Sequence, residues 1–390
     1  MIDESNRQGL QRQRAPGAEA KVSNVELFFD LVFVFAVTQL SHTLLKDVSW
    51  QNGLQTGLLF LAVWWVWIYT SWVTNWLDPE RTPVRVALFV LMLAGLVLSI
   101  SIPQAFGERG LMFALAYVAM QAGRPLFMLW ALRGVNPNNF RNFQRILCWA
   151  ALSGVFWLSG GLSGGETRLA LWCAALVLEY CGPALGFRVP SLGRSTTADW
   201  DVDGGHLAER CSLFIIIALG ESLLVTGATF ADSDFAAPTI AAFLLAFVGA
   251  AAMWWLYFDT GAARGSHSIA HADNPGRLAR LAYTYLHLLI VAGIIVSAVA
   301  DEMTLAHPLG AADGRSAAMI VAGPLLYVAG NGLFKRAYTG RFPLSHGVGL
   351  AILAASALIG WHWPPLALYA ATTLALVVAA AWETRSLKAA

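Results

Sequence analysis

Charged side chains are scarce in this sequence of 390 residues. Asp, Glu, Lys and Arg together make up 13% of it, whereas soluble domains carry about 25%. Hydrophobic residues make up 57%, and the 16 tryptophans suit the interface between a membrane and water. The shortage of charge excludes an ordinary soluble domain and indicates a chain that crosses a membrane many times. The net charge of +1 gives no sign of nucleic-acid binding.

The sequence also lacks the motifs that commonly carry catalysis or metal binding. The cysteines Cys148, Cys173, Cys181 and Cys211 form no CxxC pair and no metal-ligand spacing, so we interpret them as small buried apolar residues. There is no glycine-rich nucleotide loop, no HExxH and no Ser-His-Asp order. These absences argue against ATP-driven transport within this chain. We expect neither a cofactor nor a metal ion.

One acidic loop resembles the start of a calcium site. Asp199, Asp201 and Asp203 alternate before Gly204, as the first ligands of a calcium loop do. The twelfth position of such a loop should be glutamate, but Arg210 stands there. We therefore predict a polar loop in which Asp203 caps the helix that follows.

Twelve apolar stretches are long enough to cross a bilayer, which takes about 20 residues in a helix. They are 25–45, 54–76, 86–103, 111–132, 144–162, 168–187, 207–229, 237–258, 278–300, 316–334, 345–362 and 364–383. Only the turn around Trp363 separates the last two. The sequence therefore predicts an all-α, polytopic integral membrane protein with about twelve transmembrane helices.

The distribution of basic residues predicts the orientation of the chain. With twelve spans, 19 of the 25 Lys and Arg residues lie on the side of the N-terminus. Four lie on the other side, namely Lys46, Arg109, Arg168 and Arg315. Because Lys and Arg are enriched in cytoplasmic loops, we expect both termini in the cytoplasm, with a disordered tail over residues 1–22.

The two halves of the chain share short matches in the same order. Examples are Trp67-Ile68-Tyr69 with Trp255-Leu256-Tyr257, and Tyr117-Val118-Ala119 with Tyr327-Val328-Ala329. Five pairs of spans carry such matches, which predicts two parallel six-helix repeats related by an axis along the membrane normal. The expected divisions are a first repeat over 23–190, a cytoplasmic linker over 191–205 and a second repeat over 206–384. Similar apolar composition in the two halves is the alternative explanation.

Acidic residues lie inside the first and the seventh predicted spans, where a charge costs about 2.5–3.5 kcal/mol. Glu26 and Asp30 share one face of the first span, because residues four apart in a helix do so. His206 and Arg210 share a face of the seventh span, beside Glu209. We predict that Arg210 pairs with Glu26 or Asp30 in a cytoplasmic charged cluster of these five residues. The cluster fits either a static lock or a transport gate.

Glu221 lies near the middle of the seventh span, after Gly220. About 16 Å of helical rise separates it from Arg210, so these two cannot pair. The corresponding position in the first half is Thr38, next to Gln39. A carboxylate at the midplane suits the binding of a proton or cation, and Glu221, Thr38 and Gln39 are candidates for that site. A protonated glutamate bonded to a neighbouring Ser, Thr or Gln is the structural alternative.

Other polar residues inside the spans are candidates for the same chemistry. His287 in the ninth span could relay protons, or it could be a core histidine with satisfied hydrogen bonds. Arg124 in the fourth span lies at a depth similar to that of Glu179 in the sixth, which predicts an Arg124–Glu179 pair or an anion on Arg124. Asp301 and Glu302 close the ninth span and are expected to be solvated.

The chain resembles the bacterial low temperature requirement A (LtrA) family in three stretches. Residues 26–35, ELFFDLVFVF, resemble its N-terminal signature. Residues 206–210, HLAER, followed by 219–222, LGES, resemble its central signature, and Tyr285-Leu286-His287 with Gly293 resembles a third stretch. The resemblance implies a multi-pass protein of the bacterial inner (plasma) membrane, linked by name to growth in the cold. It supplies no substrate and no catalytic residues.

Three functions are compatible with these observations. The first is a secondary transporter or carrier-like channel, with Glu221 binding the coupling ion and the charged cluster acting as a gate. The second is an intramembrane enzyme acting on lipid, with His206, Glu209 and Asp30 as acid–base groups. The third is a sensor or scaffold linked to cold adaptation. The expected partners are the lipid bilayer and an unknown small solute or ion, with a homo-oligomer also compatible and nucleic acid excluded.

Overall fold

The computed structural model describes residues 9–12, 21–197, 200, 202–270, 272–310 and 313–388. The long helices are α1 (Asn24–Lys46), α2 (Trp50–Trp76), α3 (Thr82–Gln104), α4 (Gly110–Leu132), α5 (Pro137–Leu162), α6 (Gly165–Cys181), α7 (Gly204–Ala231), α8 (Ala237–Tyr257), α9 (Pro275–Ala306), α10 (Gly314–Thr339), α11 (Leu344–Ile359) and α12 (Pro365–Lys388). A π-helical segment, Phe258–Ala262, and a short helix, Ala263–Ala270, continue α8. These residues form no β-strand.

Ten of these helices are long and apolar enough to cross a membrane, within the ranges just given. The other two, α6 and α11, have 17 and 16 residues. The prediction of an all-helical, multi-pass membrane protein is confirmed. Each of the twelve predicted spans overlaps one of these helices, while the number of helices that cross the bilayer, the two repeats and the orientation stay predictions.

The sixth predicted span, 168–187, is longer than the helix that forms. Helix α6 ends at Cys181, and Pro183 follows one residue after the C-cap at Gly182. Gly182 still has helical dihedrals, but Pro183 has no N–H to donate to the Glu179 carbonyl, so the helical hydrogen bonding ends here and the chain turns. The turn brings Gly186, at φ +63°, against the backbone of Ser195, where a Cβ would lie 2.2 Å from the Ser195 carbonyl oxygen. No other residue fits at that position without a shift of the backbone.

Packing divides the chain into two units. Unit 1 comprises Met1–Thr43, Gln51–Arg210 and Asp273–Arg277, and unit 2 comprises Leu44–Trp50, Cys211–Ala272 and Leu278–Ala390. The division within α7 falls between Arg210 and Cys211. The sequence predicts a linker over 191–205 instead, and its assignment of repeats stays a prediction.

In unit 1, α4 packs against α3 and α5, and α5 packs against α6. One buried apolar cluster joins Leu10 and Leu77 to residues of α4 and α5, among them Met128 and Phe143. The short segment 9–12 is tied to the end of α2, because Arg12 N–H donates to the Trp76 carbonyl at 2.9 Å. This segment carries Arg12 to the acids of α1. Residues 1–8 and 13–20 of the tail for which disorder is predicted lie outside the described residues.

In unit 2, α9 packs closely along α10, and glycine makes the approach feasible. A Cβ at Gly323 would lie 2.4 Å from Ser297 Oγ and 2.7 Å from the Ser297 backbone nitrogen. Small residues at a helix crossing allow such contact between backbones. Pro324 follows inside α10 and has no N–H to offer the Ile320 carbonyl, so this part of α10 has weaker backbone bonding.

Candidate functional site

A network of buried charges lies inside unit 1 and is centred on Arg210 of α7. The Arg210 guanidinium is fully buried and bonds both acids of α1, with Nη1 3.1 Å from Glu26 Oε1 and Nη2 2.5 Å from Asp30 Oδ1. Thr74 of α2 contributes its hydroxyl, which accepts from Arg210 Nη1 at 3.2 Å. The spacing of four residues places both acids on the same face of α1. Arg210 therefore pairs with both of the acids that the sequence offers as alternatives.

The Glu26 carboxylate is surrounded by donors. Its Oε2 accepts from Arg12 Nη2 at 3.1 Å and from the N–H and hydroxyl of Ser23, both at 2.9 Å. Glu26 itself has no exposed surface. The two arginines thus balance the two carboxylates of α1, which satisfies the requirement that buried charges be paired. The sequence does not single out Arg12, because this residue lies in the polar tail and its role depends on the pairing of segment 9–12 with α2.

His206 extends this network, and its hydrogen bonds define its tautomer. Nε2 lies 2.9 Å from Glu26 Oε1, and Nδ1 lies 3.2 Å from the Asn75 amide nitrogen. An amide nitrogen only donates, so Nδ1 accepts and Nε2–H donates to Glu26. Asn75 is held in turn by the backbone of Asp203, at 2.7 and 2.9 Å. The arrangement corresponds to a neutral imidazole between an amide and a carboxylate.

The loop before α7 provides the predicted cap of that helix. The Asp203 carboxylate accepts from His206 N–H at 3.0 Å, so the prediction that Asp203 caps this helix is confirmed. Asp199 and Asp201, the other two acids of the calcium-like pattern, lie outside the described residues.

Two polar atoms of the network are buried without a hydrogen bond in the described part of the chain. They are Asp30 Oδ2 and Arg210 Nε. Asp30 Oδ1, by contrast, accepts from both Arg210 and Trp67, whose Nε1 lies 2.8 Å away. A buried polar atom without a partner costs about 1–3 kcal/mol, so this constellation retains unused bonding capacity beside a buried ion pair.

Glu209 does not belong to the buried network. Its side chain is exposed and accepts from the Val22 backbone N–H at 3.1 Å. The reason is helical geometry, since residues adjacent in a helix point about 100° apart and Arg210 takes the inward direction. The structure therefore brings together four of the five residues of the predicted cluster and places Glu209 at its outside.

Arg124 and Glu179 do not form the predicted ion pair. Arg124 is buried in α4, and its guanidinium donates to the carbonyls of Met120 and Val66 at 3.0 and 2.7 Å and to the Thr70 hydroxyl at 3.1 Å. Carbonyl oxygens of α2 and α4 thus take the place that the sequence assigns to a carboxylate. Which carbonyl groups lie near Arg124 depends on how the helices pack, and the spacing of residues in the sequence does not show this.

Glu179 of α6 is satisfied by neutral donors. Tyr117 of α4 donates to its Oε2, while Ser153 and Trp157 of α5 donate to its Oε1 at 2.8 and 3.2 Å. Glu179 and Arg124 both line a cavity of about 40 Å³ in unit 1. The two groups share this cavity without a direct contact.

His287 of α9 is fully buried and has both ring nitrogens bonded. Nδ1 lies 2.8 Å from the Ala282 carbonyl, and Nε2 lies 2.7 Å from the Tyr257 hydroxyl. A carbonyl only accepts, so Nδ1–H donates to it and Nε2 accepts from the tyrosine. The bonding matches the alternative of a core histidine with satisfied hydrogen bonds.

The remaining candidates are half-buried. In unit 2, Glu221 lies on α7 next to Ser222, which lines a small cavity that Glu221 does not line. In unit 1, Thr38 donates to the Val34 carbonyl at 3.1 Å, and Gln39 follows it on α1. Nothing in their positions tests a role in ion binding, so that role stays a prediction.

The sequence prediction missed one buried acid of unit 2, Asp301. The expectation is a solvated helix end, but α9 continues to Ala306, and Asp301 is only 6% exposed. Tyr369 of α12 donates to its Oδ1, and the Thr226 hydroxyl of α7 lies 3.3 Å from its Oδ2. The sequence does hold a signal, because no helix breaker occurs between Asp301 and Pro308.

Comparison with known proteins confirms the family that the sequence motifs resemble. A family model described as "Bacterial low temperature requirement A protein (LtrA)" matches residues 21–381. A protein of Rhizobium meliloti (strain 1021), named "Uncharacterized protein RA0937", is 43% identical over 372 residues, which cover 95% of this chain and 90% of that protein. No solved structure matches the chain.

Proposed function

The chain belongs to the bacterial LtrA family, and we propose that it is a secondary transporter or carrier-like channel. Acidic side chains inside its helices would bind the coupling proton or cation. The protein would lie in the bacterial inner membrane with both termini in the cytoplasm, as the distribution of basic residues favours. Its solute would be a small molecule or ion.

The burial of acids inside membrane-spanning helices carries this proposal. Glu26 and Asp30 of α1 have no exposed surface, and Asp301 of α9 is 6% exposed. Helices α1 and α9 are both long and apolar enough to cross a bilayer. Ionisable residues at such positions are expensive, and they mark ion and proton pathways in many membrane proteins.

In this proposal, the network of Glu26, Asp30, Arg210 and His206 is a gate of unit 1. Its members are fully buried, Arg12 supplies the second positive charge for the two carboxylates, and the hydrogen bonds of Arg210 join α1, α2 and α7. Protonation of either carboxylate would leave Arg210 with one fewer anionic partner and would weaken the closure. Of the two unbonded atoms, Asp30 Oδ2 could accept a proton, and Arg210 Nε–H could donate to a polar solute.

Charge reversal separates a gate from a static lock. A lock needs only opposite charges, so the double variant Asp30→Arg with Arg210→Asp should regain part of the stability that each single variant loses. A proton-coupled gate also needs a carboxylate at position 30, so the double variant should fold and yet fail to couple. Recovery of full transport by the double variant would assign the network to a lock.

Transport itself is testable in proteoliposomes that contain a pH-sensitive dye and, in parallel, a sodium-sensitive dye. A panel of amino acids, organic acids, sugars and polyamines is added outside, and the dye responses are recorded. We expect at least one solute to move protons or sodium ions above the level of protein-free vesicles. Correctly folded protein that gives no response to any solute would contradict the proposal.

Variants in the same assay locate the coupling group. Glu221→Gln and Asp301→Asn remove the two acids of unit 2 that this proposal considers. Glu80→Gln is the matched control, because Glu80 forms an exposed ion pair with Arg85 at 2.8 Å and such pairs contribute little. We expect the control to retain coupled flux and the variant at the coupling site to lose it.

A second candidate function is action on lipid, which an apolar crevice of unit 1 favours. The crevice has a volume of about 370 Å³ and runs between α2, α3 and α4, with the exposed Val86 and Val90 in its lining. Its lining includes Thr74, which also bonds Arg210, and Arg124. None of His206, Glu209 and Asp30 lines it. Release of fatty acid or exchange of headgroups in the same proteoliposomes would favour an enzyme over a carrier.

A further inference from the structure

Unit 2 encloses a small cavity of about 20 Å³ between α7, α8, α9, α10 and α12. Its polar lining consists of Ser222, Ser297, Asp301, Tyr369 and Thr373. A cavity of this size holds about one water-sized particle. The cavity thus places a carboxylate and several hydroxyl groups around a single small position.

One of these hydroxyl groups has unused bonding capacity. Serine and threonine hydroxyls inside helices can donate to the carbonyl four residues earlier, as Thr304 does to Ala300 at 2.7 Å. The Ser297 hydroxyl oxygen is buried and makes no hydrogen bond within the described part of the chain. Ser297 therefore has an oxygen free to bind a small particle in the cavity, and Ser222 and Thr373 border the same cavity.

The carboxylate of Asp301 faces hydroxyl donors and no cation. Tyr369 donates to its Oδ1, and the Thr226 hydroxyl lies 3.3 Å from its Oδ2 and 2.8 Å from the Ser222 carbonyl. No Lys, Arg or His of the described residues lies within ion-pair distance of Asp301. An isolated buried carboxylate is unfavourable unless it is neutralised or paired. Either a proton or a bound cation can provide the missing positive charge.

Pro324 of α10 also lines the cavity, together with Ile320 one turn earlier. The proline has no N–H for the Ile320 carbonyl, so that carbonyl lacks its usual helical donor. Carboxylate and hydroxyl groups border the cavity, and their oxygens are ligands that hard cations prefer.

We propose that this cavity binds one monovalent cation of about the size of sodium, with Asp301 as the anionic ligand and Ser222, Ser297 and Thr373 as neutral ligands. A single carboxylate balances one positive charge, whereas sites for calcium commonly combine several acids. The role of this site rests on the proposed function, because the bound cation would be the coupling ion of the transporter. Binding itself does not depend on transport.

The test measures binding of sodium to purified full-length protein in detergent. Sodium chloride replaces choline chloride at constant ionic strength, and ²²Na⁺ binding and the melting temperature are recorded. We expect saturable binding of one ion per chain and a melting temperature that rises with sodium, since a ligand of the folded state stabilises it by mass action. Potassium should give a smaller shift because the cavity is small. No sodium dependence in the wild-type protein would mean that the cavity holds water beside a protonated Asp301, and would overturn the proposal.

Variants then tie the binding to this cavity. Asp301→Asn should abolish ²²Na⁺ binding, and Ser297→Ala and Thr373→Val should each weaken it by about tenfold, or about 1.4 kcal/mol. Thr304→Val is the matched control, because Thr304 is a buried hydroxyl of the same helix that does not line the cavity. Binding that survives in all three cavity variants would place the ion elsewhere. If Asp301→Asn does not fold, Ser297→Ala and Thr373→Val still test whether sodium binds in this cavity.

The outcome is separable from that of the proposed function. Sodium binding lost in the cavity variants, with no solute-coupled flux in proteoliposomes, would support the site and contradict transport. Coupled flux without sodium binding would support transport and overturn this site alone.

Discussion

Arg210 Nη2 lies 2.5 Å from Asp30 Oδ1, and neither side chain has any surface exposed to solvent. The two residues are 180 positions apart in the chain, on α7 and α1. Their contact is the closest link between these two helices in the charge network of unit 1. The contact matters for stability because removal of either residue leaves the charge of the other buried with fewer groups of opposite charge around it.

Removal of one partner should destabilise the protein strongly. We expect Arg210→Met to lower the free energy of unfolding by about 3–5 kcal/mol, since Glu26 and Asp30 would face each other with only Arg12 as a cation. Thermal unfolding in detergent, followed by tryptophan fluorescence, measures the effect. Glu80→Gln, in an exposed pair, should stay within about 1 kcal/mol of the wild type. Equal effects of the two variants would show that the network is not buried as described.

Coupling between Arg124 and Glu179 should be weaker than coupling between Arg210 and Asp30. The first two residues make no direct contact, and each is satisfied by other groups. A double-mutant cycle with Arg124→Met and Glu179→Gln measures their interaction energy, and the same cycle with Arg210→Met and Asp30→Asn provides the reference. A larger coupling for the first pair would indicate a direct ion pair that the structure does not contain.

Substitution of Gly323 should disturb the contact between α9 and α10. A Cβ there would lie 2.4 Å from Ser297 Oγ and 2.7 Å from its backbone nitrogen, so Gly323→Ala should cost about 1–3 kcal/mol through overpacking. Gly347→Ala in α11 is the control, because a Cβ at Gly347 would have no neighbouring atom of the described residues within 4 Å. The control should leave stability unchanged or raise it, because alanine favours helix. A Gly323→Ala variant as stable as the wild type would require α9 and α10 to lie further apart.

The cap of α10 should make a contribution to stability that depends on pH. Asp313 accepts from Ser316 N–H at 2.7 Å, and hydrogen bonding to Ser316 lowers the pKa of the Asp313 carboxyl below its ordinary value. A lowered pKa in the folded state stabilises the fold above the ordinary pKa, about 3.9, and the gain is lost as the pH falls through the lowered value. Asp313→Ala should therefore reduce the melting temperature at neutral pH by more than it does at acidic pH. Asp313→Asn, which can still cap, should lose less at neutral pH.

The membrane character and the helical segments follow from local sequence alone. Apolar runs of about 20 residues need to satisfy their backbone hydrogen bonds inside the bilayer, and a helix does this within one segment. The four-residue spacing of Glu26 and Asp30, and the cap at Asp203, are likewise local properties. The partner of Arg210 could also be predicted, because a cation inside an apolar helix requires an acid and α1 offers two on one face.

Other features depended on the packing of distant segments. Arg12 reaches Glu26 only because segment 9–12 pairs with the end of α2. Arg124 bonds carbonyl groups of α2 and of its own helix instead of Glu179. Asp301 is enclosed because Thr226 and Tyr369 approach it from two other helices.

The amino-acid sequence by itself determined that this protein is a helical, multi-pass membrane protein of the LtrA family with acids inside its helices. Only the tertiary structure decided which of those acids meet arginine and which meet hydroxyl groups. The physical reason is that hydropathy and helical periodicity are properties of neighbouring residues, whereas the compensation of a buried charge depends on atoms that folding brings from other helices.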